Sequence, residues 1–379
     1  MIRRHEVLPF VDLKVTTLEA VKYVRSLQSV RYAEPLSYEV TFNTSGERIE
    51  SSSGCSNDPD NGIPSNDYVN IAPGAKASWH LYANNVVDAW SSSTGSGIGI
   101  GLIDTGISPN QDNLNANFNS GYSSGRYVNK YGFYVSSWWW WASPDGPNDK
   151  CGHGTAMAGV MAAPRSNDGS SVGVAYNANL VSIRGTGDVI VNGGKEKTGV
   201  ADGLVFLGNR SDVKIISMSI GDVFSNSKVA DGVRYAYGKG KLIFAAAGTS
   251  TSFTNWFGVI FPASMNETVA VTGIKESGYQ RCDVCHSGSK VDFTVIMERS
   301  GTKNHPLTLA MSGSQPSTVG GSSVATATAA GIAALVWAKN PSLTRDQVLT
   351  KLRNTADLYP NKSSDYGWGT LNAAEAVDY

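Results

Sequence analysis

Charge is scarce in this chain. Asp, Glu, Lys and Arg make up 17% of its 379 residues, against about 25% in an average soluble domain. Neither sign prevails: 31 Lys and Arg face 32 Asp and Glu, for a net charge of −1. The basic excess that would grip nucleic acid is missing, and so is an acidic run that would serve as an interaction tail. Long apolar runs are missing too. The most apolar stretch, residues 324–338, is interrupted by Thr326 and Thr328. It falls short of the roughly 20 residues of a membrane span and suits a buried helix, so no membrane span is expected. Met1-Ile2-Arg3-Arg4-His5 carries charge with no apolar stretch behind it, so it does not read as a signal peptide. Histidine is limited to His5, His80, His153, His286 and His305, and cysteine to Cys55, Cys151, Cys282 and Cys285.

Glycine is abundant, with 41 residues, and the hydrophobic share of 41% is enough for a large core. Low charge with much Ser, Gly and Asn points to an exported protein. Four cysteines permit two disulfides in three pairings. The closeness of Cys282 to Cys285 suggests a local bridge, which would leave Cys55 with Cys151.

Residues 1–45 read as a small α+β unit. Residues 10–15 alternate like a strand, Thr17 is an N-cap with Ala20, Val21, Val24 and Leu27 on one helical face, and residues 30–34 suggest a second strand. Residues 46–76 are rich in turn formers without apolar periodicity and read as a linker. Over residues 77–379, apolar runs alternate with helical patterns. Strands are expected at 97–103, 180–184, 213–220, 241–247 and 268–274. Helices are expected at 155–163, 196–207, 228–238, 323–339 and 344–355. Near-continuous apolar strands separated by helices imply an α/β fold: a doubly wound, mostly parallel sheet with helices on both faces. Its sites form at the carboxyl ends of strands.

Three segments could carry chemistry there. Asp104 follows Leu102-Ile103 at the end of the first strand, and Gly106 releases the chain. His153 lies between two glycines in Cys151-Gly152-His153-Gly154-Thr155, opening a helix of small residues; histidine is the usual general base near neutral pH. Ser323 follows Gly320-Gly321-Ser322 at the head of the long buried helix, where its hydroxyl and N–H face the positive helix end, as a nucleophile beside an oxyanion requires. Singly, Asp104 reads equally as a turn cap, His153 as a buried structural histidine and Ser322 as an N-cap. Together they supply an acid, a base and a nucleophile in the order Asp, His, Ser. The order Ser, Asp, His of α/β-hydrolases is excluded, because no histidine follows Ser323. Gly97-Ile98-Gly99-Ile100-Gly101 lacks the spacing of a dinucleotide site.

The sequence here resembles the subtilisin-like serine peptidases, or subtilases. Asp104-Thr105-Gly106, Gly152-His153-Gly154-Thr155 and Gly321-Ser322-Ser323-Val324-Ala325 match the family's three signatures, and the likeness runs from Trp79 to the end. The resemblance implies a serine endopeptidase that forms an acyl-enzyme through Asp104, His153 and Ser323 and needs no cofactor. It implies that Ser219-Ile220-Gly221 pairs with an extended peptide or protein substrate. It also implies that the N-terminal unit is a propeptide-like segment able to inhibit the enzyme. The sequence departs from the family at one place. The usual oxyanion-hole Asn is replaced by Thr249 in Ala245-Ala246-Ala247-Gly248-Thr249, so Thr249 or a nearby residue such as Asn255 would donate, alongside the N–H of Ser323. The alternative is a catalytically weak or silent subtilase-shaped protein that binds peptides. Calcium is common in the family, and residues 165–170 fall where a calcium loop often sits, although Asn167-Asp168-Gly169 also suits an ordinary turn. Trp138 to Trp141 read either as an aromatic wall beside the site or as loop packing. Cys282-Asp283-Val284-Cys285-His286 formally matches a haem-attachment pattern, but a disulfide is the expected reading.

Overall fold

The computed structural model describes residues 2–37, 55–137, 142–249, 258–299 and 305–379. Trp138 to Trp141 and Asn255 lie outside the described residues. The chain opens with a hairpin of β1 (Arg3–Arg4) and β2 (Val11–Asp12), then α1 (Leu18–Ser26), where Thr17 Oγ1 accepts from Ala20 N as expected of its N-cap. The strand expected over 10–15 shrinks to β2, and residues 30–34 form no ladder. Their side chains bond to the main body instead: Arg31 and Tyr32 reach Asp231, and Glu34 accepts from Ser227 N at 2.9 Å.

A second hairpin, β3 (Tyr68–Ile71) with β4 (Ala75–Ser78), falls inside the stretch read as a linker. Pro73 and Gly74 sit at its tip, so turn formers there mark a hairpin and not a free connection. Upstream, Asn57 Nδ2 donates to Leu309 O, and Asp60 N to Pro316 O. Two short helices, α2 (Trp79–Ala83) and α3 (Val86–Ala89), lead into the central sheet.

That sheet comprises β5 (Gly99–Asp104), β6 (Val128–Gly132), β7 (Asn179–Arg184), β8 (Val213–Met218), β9 (Leu242–Ala246), β10 (Val269–Lys275), β11 (Gly278–Arg281) and β12 (Phe293–Glu298). Its order is β11-β10-β9-β8-β5-β7-β6, with β12 on β10, and only the β10–β11 pair is antiparallel. The five expected strands are present, with ends shifted by one or two residues. The edge strand β6 gave no apolar signal because it is only partly buried and contains Asn129 and Lys130.

The helices are α4 (His153–Ala162), α5 (Gly194–Asn209), α6 (Ser227–Gly238), α7 (Ser322–Lys339), α8 (Arg345–Asn354) and α9 (Ala373–Asp378), with a small hairpin, β13 (Leu307–Leu309) and β14 (Pro316–Thr318), before α7. Alternation along β5 sorts the two layers. Ile100 and Leu102 join the core built with α4 and α7, whereas Ile103 joins the one built with α5 and α6. Burial on both faces is what made these strands read as continuous apolar runs.

The N-terminal unit rests on α5 and α6. Leu8 and Phe10 pack with Ala201 and Val205. Lys228 Nζ donates to both oxygens of buried Asp12 at 2.8 and 3.0 Å, and Asp202 binds Arg3 and His5. Disulfides join Cys55 to Cys151 and Cys282 to Cys285. Both sulfurs of the Cys-x-x-Cys-His run are thus taken, which rules out its reading as a haem attachment.

The β5–β8 ladder depends on Gly99, where an added Cβ would lie 2.0 Å from Asp212 O. Gly99→Ala is expected to cost about 3 kcal/mol. Gly238→Ala, whose Cβ meets nothing within 4 Å, is expected to be neutral or stabilising by up to about 1 kcal/mol. Thermal unfolding of the two variants checks both.

Candidate active site

The carboxyl end of β5 places Asp104 on the α4–α7 side of the sheet, fully buried. Its Oδ1 accepts from Thr105 N and from His153 Nδ1, each at 2.8 Å. Because Nδ1–H is committed to Asp104, the lone pair of neutral His153 lies on Nε2, which has no hydrogen-bond partner among the described residues. Burial pulls the His153 pKa down, but the charge and hydrogen bond of Asp104 outweigh it, with Asp149 and Asp188 adding to the effect. The net shift is upward from the ordinary 6.5.

His153 is the first residue of α4, and the turn before it is held by a residue the motif reading passed over. Asp149, buried, accepts at Oδ1 from Cys151 N, Gly152 N and Thr105 Oγ1, and at Oδ2 from Thr155 N and Oγ1. A carboxylate at a helix N-terminus satisfies the free amides there. Its spacing of six from Thr155 was the available signal.

Ser323 enters from α7, which packs beside α4. Its Oγ donates to Ser219 O at 3.4 Å, Ser219 Oγ donates to Ser323 O at 3.1 Å, and no hydrogen bond joins Ser323 to His153. In this conformation the Ser323 hydroxyl is held by the Ser219 carbonyl and not by a base. Apo sites commonly tighten a nucleophile–base bond only with substrate bound.

Thr249 follows β9, and its Oγ1 lies 3.1 Å from Ser322 Oγ, which also accepts from Gly248 N at 3.2 Å. Ser322, read only as an N-cap, is instead the first residue of α7, with Gly321 as the cap, and it ties the Gly248–Thr249 segment to the start of that helix. Of the proposed substrate edge, Ser219 is engaged with Ser323. Gly221 donates to Val189 O and accepts from Val191 N, so a peptide pairing at Gly221 must displace this bridge. In the loop considered for calcium, Asp168 Oδ1 accepts from Ser166 and Ser170, and Oδ2 from Asn113. These bonds close the turn at Asp168.

The sequence profile of the subtilase family matches residues 95–369, three quarters of the chain and all three signature segments. The chain belongs to the subtilase family. It is 28% identical over 296 residues to thermitase of Thermoactinomyces vulgaris, spanning 77% of this chain and 92% of thermitase. Against M-protease of Shouchella clausii (strain KSM-K16) it is 30% identical over 284 residues, covering 75% of this chain but 65% of that relative. Among solved structures, a protease from Pseudoalteromonas arctica PAMC 21717 aligns with a TM-score of 0.64 at 25% identity, over 85% of this chain and 99% of that one. This subtilase is therefore of the serine endopeptidase class, and its doubly wound fold is the family's. The alternative of a silent peptide-binding protein finds no support among these relatives.

The raised His153 pKa sets an expectation for the acid side of the pH profile. A general base must be neutral, so kcat/KM should fall as pH drops through a pKa above the ordinary histidine value. Asp104→Asn should move that limb to lower pH and reduce kcat by about 10⁴-fold. Initial rates from pH 5 to pH 9 test both.

Proposed function

We propose that Asp104, His153 and Ser323 hydrolyse peptide bonds through an acyl-enzyme intermediate. The observation that carries this reading is the 2.8 Å bond from His153 Nδ1 to buried Asp104, which leaves Nε2 as the acceptor nitrogen. Ser323 Oγ attacks the scissile carbonyl carbon as its proton passes to His153 Nε2. The C–N bond then breaks as the same proton goes to the leaving amine, and water releases the acyl group by the reverse roles. Asp104 holds the imidazole and stabilises its cation. The developing oxyanion is met by the N–H of Ser323 and the hydroxyl of Thr249, at the positive end of α7. Ser219, Ile220 and Gly221 offer the edge along which an extended substrate pairs.

No cofactor takes part in this scheme. The N-terminal unit acts as an inhibitor of its own enzyme, a role supported by the apolar seat of Leu8 and Phe10 and the buried Lys228–Asp12 pair. Secretion is supported by two disulfides, which persist in oxidising compartments, and by a relative named minor extracellular protease Epr of Bacillus subtilis (strain 168).

An active-site serine reagent should label one residue, and Ser323→Ala should abolish both labelling and hydrolysis; labelling that persists after Ser323→Ala would overturn the assignment. Thr249→Ala should lower kcat by about 10- to 100-fold with little change in KM, in keeping with the loss of one oxyanion donor. An unchanged kcat would remove Thr249 from the hole.

A further inference from the structure

The Cys-x-x-Cys-His run has no part in the scheme above, yet it lies against the strand that carries Thr249. His286 N donates to Gly248 O at 2.9 Å, and Cys285 forms an antiparallel bridge with Thr249. The imidazole makes a second contact: its Nδ1–H donates to Gly258 O at 2.6 Å. One residue thus ties both ends of the interval 248–258, the first with its backbone and the second with its ring. The ring also fills the space beside Gly248, whose φ is +129° and where a Cβ would lie 2.4 Å from His286 Nδ1. Only glycine admits the ring this close.

His286 is itself held firmly. Thr272 Oγ1 donates to its carbonyl, Arg281 donates to the carbonyl of Cys285, and the Cys282–Cys285 disulfide closes the turn before it. The side chain is buried, with Nε2 lacking any partner among the described residues. Burial holds its pKa below the ordinary histidine value, so the ring is neutral with its proton on Nδ1. From Gly248 the contact continues to Ser322 Oγ through Gly248 N at 3.2 Å, and Ser322 precedes the nucleophile.

We propose that His286 is a positioning residue for the oxyanion hole. It fixes Gly248 and Thr249 against Ser322 and Ser323, so that the Thr249 hydroxyl is pre-aimed at the developing charge. This rests on the reading of Ser323 as nucleophile and Thr249 as donor. Preorganised donors act on the transition state and not on the ground state, so loss of the clamp appears in kcat and spares KM.

The test compares His286→Ala, His286→Asn and His286→Gln in the full chain. It measures kcat and KM on a peptide amide and Ki for a peptide boronic acid, whose tetrahedral adduct presents an oxygen to the hole. Rates are expressed per active site labelled by the serine reagent. In His286→Ala, kcat should fall about tenfold with KM within about twofold, and Ki should rise by the same factor as kcat falls. Asn can place an amide N–H where Nδ1–H was and should recover kcat to within about threefold of the parent, whereas Gln, with its amide one carbon further out, should resemble Ala. The inference is overturned if kcat per site is unchanged in His286→Ala, if the change is confined to KM, or if Asn is no better than Gln. The last comparison decides alone should the Ala variant fail to fold. Activity surviving Ser323→Ala would instead overturn the underlying reading of the site.

Discussion

Helix α7 runs through the interior with every residue from Ser322 to Trp337 buried, and the rest of the structure is arranged around that constraint. A helix buried on all sides cannot be amphipathic. Its side chains must also be small wherever another element crosses, hence the Ala-rich run from Val324 to Ala334. Where Gly331 meets Val174, an added Cβ would lie 2.6 Å from the valine side chain. Small residues in α4 answer those in α7, and each helix begins at a candidate site residue, α4 at His153 and α7 at Ser322-Ser323. The location of Ser323, the proposed nucleophile, thus follows from core packing.

The polar part of the site is organised by buried carboxylates whose charge is met by donors. Asp149 gathers five hydrogen bonds around the turn before α4, whereas Asp104 takes one from Thr105 and one from His153, both at Oδ1, and its buried Oδ2 has no hydrogen-bond partner among the described residues. Buried charge is tolerated only when so compensated. The same logic governs the N-terminal unit. Its buried Asp12 lies against Lys228, while Asp202 of α5 receives Arg3 and His5. The near balance of charge across the chain therefore conceals local pairing between this unit and the body. By contrast α1 has no buried residue, so the unit depends on α5 and α6 for most of its apolar cover.

The segment proposed for the oxyanion hole shows how a family position can change residue and remain supported. Thr249 is shorter than Asn, and its hydroxyl lies against Ser322 Oγ while His286 and Cys285 back the strand from behind. A short donor tolerates less error in backbone placement than a long one. Two disulfides add restraint at matching places, one before α4 and one behind Gly248–Thr249.

The sequence by itself determined the layered α/β class, five core strands and the principal helices, because a parallel sheet covered on both faces writes its burial as uninterrupted apolar runs. It also singled out Asp104, His153 and Ser323 as candidates, since glycines and strand ends leave local marks. Tertiary structure decided what has no local mark. How residues 30–34 and 57–60 are held is hidden from any short window, because their partners, Asp231, Ser227, Leu309 and Pro316, lie far along the chain. Ser322 and His286 left no local mark for the same reason: Ser322 meets Gly248 and Thr249, and His286 meets Gly248 and Gly258, only when distant segments pack. The bridge from Gly221 to Val189 and Val191, and the turn of Ser323 toward Ser219, are likewise properties of the folded chain, set by neighbours that no short window contains.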